Sequence, residues 1–124
     1  MFYQGRFDMH NPRCLHDSWV NAIVVDEKGS GDREEYRSIE ITMKLLGSYH
    51  DGVHVITYQH VKGYSLSASQ THRLAAAVGH GDWLIDELII SSDNLLYHEV
   101  HFSEGAHLAV FCEDVSYQWK ARGE

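Results

Sequence analysis

The sequence predicts a mainly β protein: an antiparallel β sandwich or curled half barrel of six to eight strands, with at most one short helix. Three observations lead there. Apolar residues return at every second position in segment after segment, which is the period of a pleated strand. Turn-forming residues such as G-S-Y-H-D-G and S-S-D-N separate those segments. The helical stretches that parallel crossovers require are too few, so neighbouring strands should run antiparallel.

Taken in order, residues 1–14 mix aromatic, polar and glycine residues at no clear period and are expected to lie at the periphery of a single domain covering residues 1–124. A first strand should begin at His16, with Trp19, Ile23 and Val25 on one parity and Val20, Ala22 and Val24 on the other. Residues 28–35, K-G-S-G-D-R-E-E, read as a loop. The sharpest alternation follows in residues 36–46, where Ile39, Ile41, Met43 and Leu45 are separated by Glu40, Thr42 and Lys44. A helix would place those charges around its apolar face, so a half-buried strand is the better solution. Val53 and Val55 continue the pattern, and V-K-G-Y from Val61 has the character of a bulge. Residues 69–78, S-Q-T-H-R-L-A-A-A-V, are the best helical segment, with Ser69 able to cap it and Gly79 to stop it, and suit either one short helix or an ordered loop. Residues 83–90 form another strand. The last quarter is a hairpin, with Val100 and Phe102 facing Leu108, Val110 and Cys112 across a turn at Gly105. Val115, Tyr117 and Trp119 extend that hairpin or add a last edge. The expected core is Ile39, Ile41, Met43, Val55, Ile85, Val100 and Val110.

The chain has 124 residues, 44% of them hydrophobic, enough for the core of one domain. Its formal charge of -8 is unevenly spread: residues 74–119 hold eight carboxylates and no Lys or Arg. Such a field repels phosphate backbones and attracts basic proteins, so nucleic acid is a disfavoured partner. No window approaches the ~18 apolar residues of a membrane span, and the N-terminus lacks the features of a secretory signal. Two distant cysteines, Cys14 and Cys112, without a C-x-x-C pair suit reduced thiols in a cytoplasmic protein.

Ten histidines raise the question of a metal. His98 and His101 have opposite strand parity and should diverge, while a turn centred on Glu104 and Gly105 places His107 across from Phe102. His50 and His54 have no specified third ligand. Asp86 and Glu87 point to opposite faces, which argues against a paired acid and base; solvated acids are the expected state of the carboxylates. Cys112 lies beside Glu113 and Asp114, which disfavour a thiolate nucleophile. No phosphate-binding glycine loop occurs and no cofactor is called for.

The order of features resembles a group of small, mostly uncharacterised bacterial β-rich proteins that includes immunity proteins of polymorphic toxin systems. The segments that carry the resemblance are H-D-S from His16, I-E-I-T-M-K-L from Ile39, V-H-V-I-T-Y from Val53, V-K-G-Y from Val61, D-E-L from Asp86 and V-F-C-E-D-V-S-Y-Q-W from Val110. They are strand patterns, with no catalytic residue to transfer. The resemblance implies a non-enzymatic β fold and, for some relatives, binding to a toxin.

Three functions remain open on this reading. The first is a protein-binding module that neutralises a basic toxin domain, with Asp82, Asp86, Glu87, Asp93, Glu99, Glu104, Glu113 and Asp114 as charged contacts and Trp83 or Trp119 as an apolar anchor. The second is a metal-assisted β-barrel enzyme using histidines of the central strands. The third is a homodimeric interaction module joined through the strand around residues 116–119, where no charge occurs before Lys120.

Overall fold

The computed structural model describes residues 15–30, 33–68, 79–91 and 93–122. The expected peripheral segment 1–14, with Cys14, and the expected helix 69–78 lie outside the described residues. Six antiparallel strands make one sheet: β1 Trp19–Ser30, β2 Arg33–Leu46, β3 Gly52–Ser67, β4 Trp83–Ile90, β5 Leu96–Phe102 and β6 His107–Ala121. Their spatial order is β1-β2-β3-β6-β5-β4. Two three-strand meanders are therefore joined through the long β3–β6 pair, which runs from Gly52↔Ala121 to Ser67↔His107.

The sheet curls until its two edges touch. Trp19 bridges Asp82, Trp83 N–H donates to Ser18 O at 2.8 Å, and Asp17 N–H donates to Trp83 O at 2.9 Å. Gly81 is needed at this junction. Its φ is 88°, and a Cβ there would stand 2.5 Å from Ser103 O. The curled single sheet, in place of two stacked sheets, is thus the form the antiparallel pattern takes.

The concave side is the core. Ile41, Met43 and Leu45 of β2, Ile56 and Tyr58 of β3, Val100 and Phe102 of β5, and Leu108, Val110 and Cys112 of β6 are buried there with Trp83 and Leu15. Each fully enclosed aliphatic side chain contributes about 1.5–3 kcal/mol from apolar burial. Of the expected core, Ile41, Met43, Val100 and Val110 are fully buried and Ile39 packs against the cluster. Two expected members are elsewhere. Val55 lies on the convex side, because Met43 pairs with Ile56 and Leu45 with His54, which fixes Ile56 and His54 inward. Ile85 is 62% exposed, because the register shifts between Trp83 and Ile85 and reverses the alternation beyond it.

Other boundaries also move. The first strand starts at Trp19, since Asp17 adopts φ 65° within the turn that precedes it. The expected loop at 28–35 is largely strand: residues 28–30 belong to β1 and residues 33–35 to β2, and Ser30 pairs with Arg33. The expected bulge after Val61 is present as a register shift between Val61 and Gly63. Residues 116–119 are hydrogen-bonded to β3 through Thr57↔Ser116 and His54↔Trp119, and the sheet edges are β1 and β4. On its other side this stretch is not paired with β5, since the β5–β6 pairing ends at Leu96↔Cys112.

Candidate functional site

A buried polar network lies in the β3–β5–β4 part of the interior. The register shift in β4 that expels Ile85 turns Asp86 inward. Its Oδ2 is 2.6 Å from His98 Nε2, and the Tyr58 hydroxyl is 2.7 Å from His98 Nδ1. A carboxylate can only accept, so Nε2 carries a proton in this pair, and the Tyr58 hydroxyl pairs with Nδ1 on the other side of the ring. Tyr58 and His98 are fully buried, and the Asp86 side chain is nearly so. Burial, followed by the neighbouring Cys112 and Asp86, pushes the Tyr58 hydroxyl well above its ordinary range and holds it neutral. The series carboxylate, imidazole, hydroxyl has the parts of a proton relay. Enclosure of all three groups makes it a structural brace. Asp86 is thus no solvated acid, and neither it nor Trp83, 1% exposed, presents its side chain to a partner.

The other end of the interior repeats the pairing. Tyr117 OH and His54 Nδ1 are 2.7 Å apart, and the Trp119 ring lies against His54 with centroids 4.7 Å apart. Trp119 crosses Gly52 so closely that a Cβ there would meet Trp119 Cζ2 at 2.5 Å. Its indole is part of the packing and only partly available as an anchor.

On the convex side, β5 and β6 bring together Glu99, His101 and His107. His101 pairs directly with His107, because the 3-10 turn Ser103–Gly105 places Ala106, and not His107, opposite Phe102; Phe102 N–H donates to Ala106 O at 2.9 Å. His101 Nε2 is 2.8 Å and His107 Nε2 3.3 Å from Glu99 Oε1. Tyr97 OH donates to Glu99 Oε2 at 3.0 Å. Hydrogen bonds from His101, then Tyr97 and His107, hold the Glu99 carboxyl below its usual range.

The remaining acids are spread over β4, β6 and the turns beside them. Glu87 is exposed and pairs with Glu99 across β4 and β5, and Asp93 is exposed in the turn between these strands. Asp82 is half-buried at the edge junction, where burial and then Asp17 push its carboxyl up. Glu113 is 3.4 Å from Lys62, and Asp114 Oδ1 accepts the Val115 N–H at 2.9 Å. Glu104 occupies the 3-10 turn, and its side chain lies outside the described residues.

The edge strand β4 carries the most exposed apolar surface. Leu84 is 51%, Ile89 46% and Ile90 68% exposed, together with Ile85. At the opposite end of the convex side, Lys44, His50, Lys120 and Arg122 rim a hollow of about 530 Å³ floored by Leu46, Val53 and Val55. Sequence reading missed this basic hollow because Lys44 and Lys120 are distant in the chain. They become near neighbours only through the rows Lys44↔Val55 and Val53↔Lys120. Among the described residues, no helix is long and apolar enough to cross a membrane.

No protein-family model matches the chain, and no curated protein sequence matches it.

Proposed function

We propose that the chain is a non-catalytic protein-binding module of the immunity type, which occludes a basic toxin domain with the β4 edge and the adjoining convex surface of β5. One observation carries this reading: β4 is an edge strand with four large apolar side chains exposed, and Glu87 lies among them. Soluble proteins usually cover or charge such an edge, because its open backbone pairs readily with another strand. A partner that adds a strand here covers Ile85, Ile89 and Ile90 and sets basic side chains against Glu87 and Asp93. Residues 74–119 contain no Lys or Arg, so no cation in that stretch opposes the approach of a basic domain. The resemblance of the strand pattern to a group of small bacterial β-rich proteins that includes immunity proteins supports the same reading.

The test is co-expression with the toxin candidate encoded beside it. The wild-type chain should restore growth and co-purify with that protein, and a folded Ile85→Asp/Ile89→Asp variant should do neither. Rescue that survives the double substitution overturns the assignment of the edge, and failure of the wild-type chain to rescue overturns the function. A wild-type dimer that becomes monomeric on the same substitutions assigns β4 to a second copy of the chain instead.

A further inference from the structure

We propose that Glu99, His101 and His107 form a binding site for one divalent transition-metal ion of the zinc class on the convex side of the β5–β6 hairpin. Among the described residues this is the one group in which three potential ligand atoms lie within 4.8 Å of one another. A tetrahedral ion with bonds of 2.0–2.1 Å sets its ligand atoms about 3.3 Å apart. The separations of 2.8 and 3.3 Å between Glu99 Oε1 and the two Nε2 atoms are already close to that value. Entry of the ion requires small side-chain rotations and no movement of the strands.

The backbone explains the convergence. Glu99 and His101 are two apart on β5 and share its convex face, while His107 is the direct cross-strand partner of His101. The two imidazole centroids are 4.6 Å apart. The short connection closed by the Phe102–Ala106 hydrogen bond fixes that pairing. Tyr97, on the same face two residues before Glu99, holds Oε2 and leaves Oε1 turned towards both imidazoles. Tyr97 is therefore a positioning residue, the kind of outer partner that orients a metal-binding carboxylate.

Ligand chemistry narrows the ion. Two imidazoles and one carboxylate suit zinc, cobalt, nickel or copper, whereas magnesium and calcium prefer sites made of oxygen alone. All three side chains are partly accessible, so the ion can enter from solvent and keep water in a fourth position. Glu87, paired with Glu99 across the neighbouring strand, adds negative charge beside it. His98 in the interior does not compete, because it already uses both ring nitrogens on Asp86 and Tyr58. The site stands independently of the proposed toxin binding, since it needs only this chain.

The experiment uses the full chain with any affinity tag removed, stripped of metal by a chelator and titrated with Co²⁺ and then Zn²⁺. One Co²⁺ per chain should bind with the visible ligand-field absorption of a low-coordinate site, and Zn²⁺ should displace it. Mg²⁺ should leave the spectrum unchanged. His101→Ala/His107→Ala should abolish binding, and Glu99→Gln should weaken it. Tyr97→Phe should weaken it by about 10- to 100-fold, the usual effect of losing such an outer partner, with the absorption spectrum retained. His50→Asn, at the far end of the convex side, should bind as the wild type does. Circular dichroism of each variant separates lost binding from lost folding. Absence of Co²⁺ and Zn²⁺ binding by the wild-type chain, or equal binding by the folded double variant, overturns the proposal.

Discussion

His98 and Asp86 are 2.6 Å apart inside the curled sheet, with no exposed surface on the His98 side chain. Neighbouring strands β5 and β4 supply the two groups, and Tyr58 of β3 completes the series from across the core. A polar group in such a place is costly unless each donor and acceptor is matched. Here the matching ties together strands that are not all adjacent in the sheet, so the brace helps to fix the curl as well as to satisfy itself.

Tyr58→Phe should therefore cost about 1–3 kcal/mol, because it leaves His98 Nδ1 without the partner it has in a buried site. Asp86→Ala should cost about 1–3 kcal/mol, because it leaves the buried His98 Nε2–H without its acceptor. The two losses should fall short of additivity in the double variant, since each already disrupts the same network. Urea unfolding of the four proteins measures this. A strictly additive double variant would show that Tyr58 and Asp86 stabilise the fold independently.

The antiparallel pattern and most of the core were legible because alternation in β2, β5 and β6 maps directly onto buried and exposed faces. What escaped depends on interruptions of that alternation. One register shift in β4 exchanges Ile85 for Asp86 on the concave side, although the intervening sequence W-L-I-D-E-L-I-I gives no glycine or proline to announce it. In the last hairpin, a one-residue difference in the turn moves His107 from the expected position opposite Phe102 to one opposite His101. That shift creates the Glu99–His101–His107 group. In β3, both parities carry apolar residues, and the choice of His54, Ile56 and Tyr58 over Val53 and Val55 is made by the partners Met43 and Leu45. Long-range pairing decides these cases, and local periodicity does not contain it.

Alkaline pH should weaken the fold through Cys112 and Tyr58. Burial raises the Cys112 thiol from 9.0 to about 11 and pushes the Tyr58 hydroxyl above its ordinary 10.0. Both groups are neutral when protonated, so the unfolded chain ionises first and is stabilised relative to the folded one. The stability they contribute is fully present below about pH 9, begins to be lost there as the unfolded thiol ionises, and continues to fall through about pH 11. Urea midpoints between pH 8 and pH 11 should decline, and Cys112→Val should remove the early part of that decline. Identical pH profiles for the variant and the wild type would exclude the thiol as its source. The same burial predicts that Cys112 reacts with a disulfide reagent only when the chain unfolds.

Gly52→Ala should be destabilising by about 1–3 kcal/mol, the usual range for forcing atoms into a filled site. The added Cβ would lie 2.5 Å from Trp119 Cζ2 and 2.6 Å from Lys120 O. Trp119 can rotate, but the backbone oxygen belongs to the paired strand β6 and cannot move away without straining the ladder. Gly63→Ala is the matched comparison, since a Cβ there meets nothing within 4 Å. Thermal unfolding should separate the two variants clearly. Equal midpoints would mean that the β3–β6 pair yields at Gly52 at little cost.

The proposed toxin binding makes a kinetic prediction at Glu87, which is exposed on the β4 edge. If a basic domain approaches this edge, Glu87→Gln should slow association while leaving the strand pairing and its apolar contacts in place. The screening length falls from about 30 Å at 0.01 M salt to about 8 Å at 0.15 M, so the difference between wild type and variant should be largest at low salt and shrink as salt is added. The dissociation rate should change less, because a charge at the rim of an interface acts chiefly on encounter. Stopped-flow association with the neutralised toxin domain at both salt concentrations gives the comparison. An association rate that is the same for the two proteins at low salt would remove electrostatic steering by Glu87 from the binding mechanism and leave the exposed isoleucines of β4 as the contacts to test next.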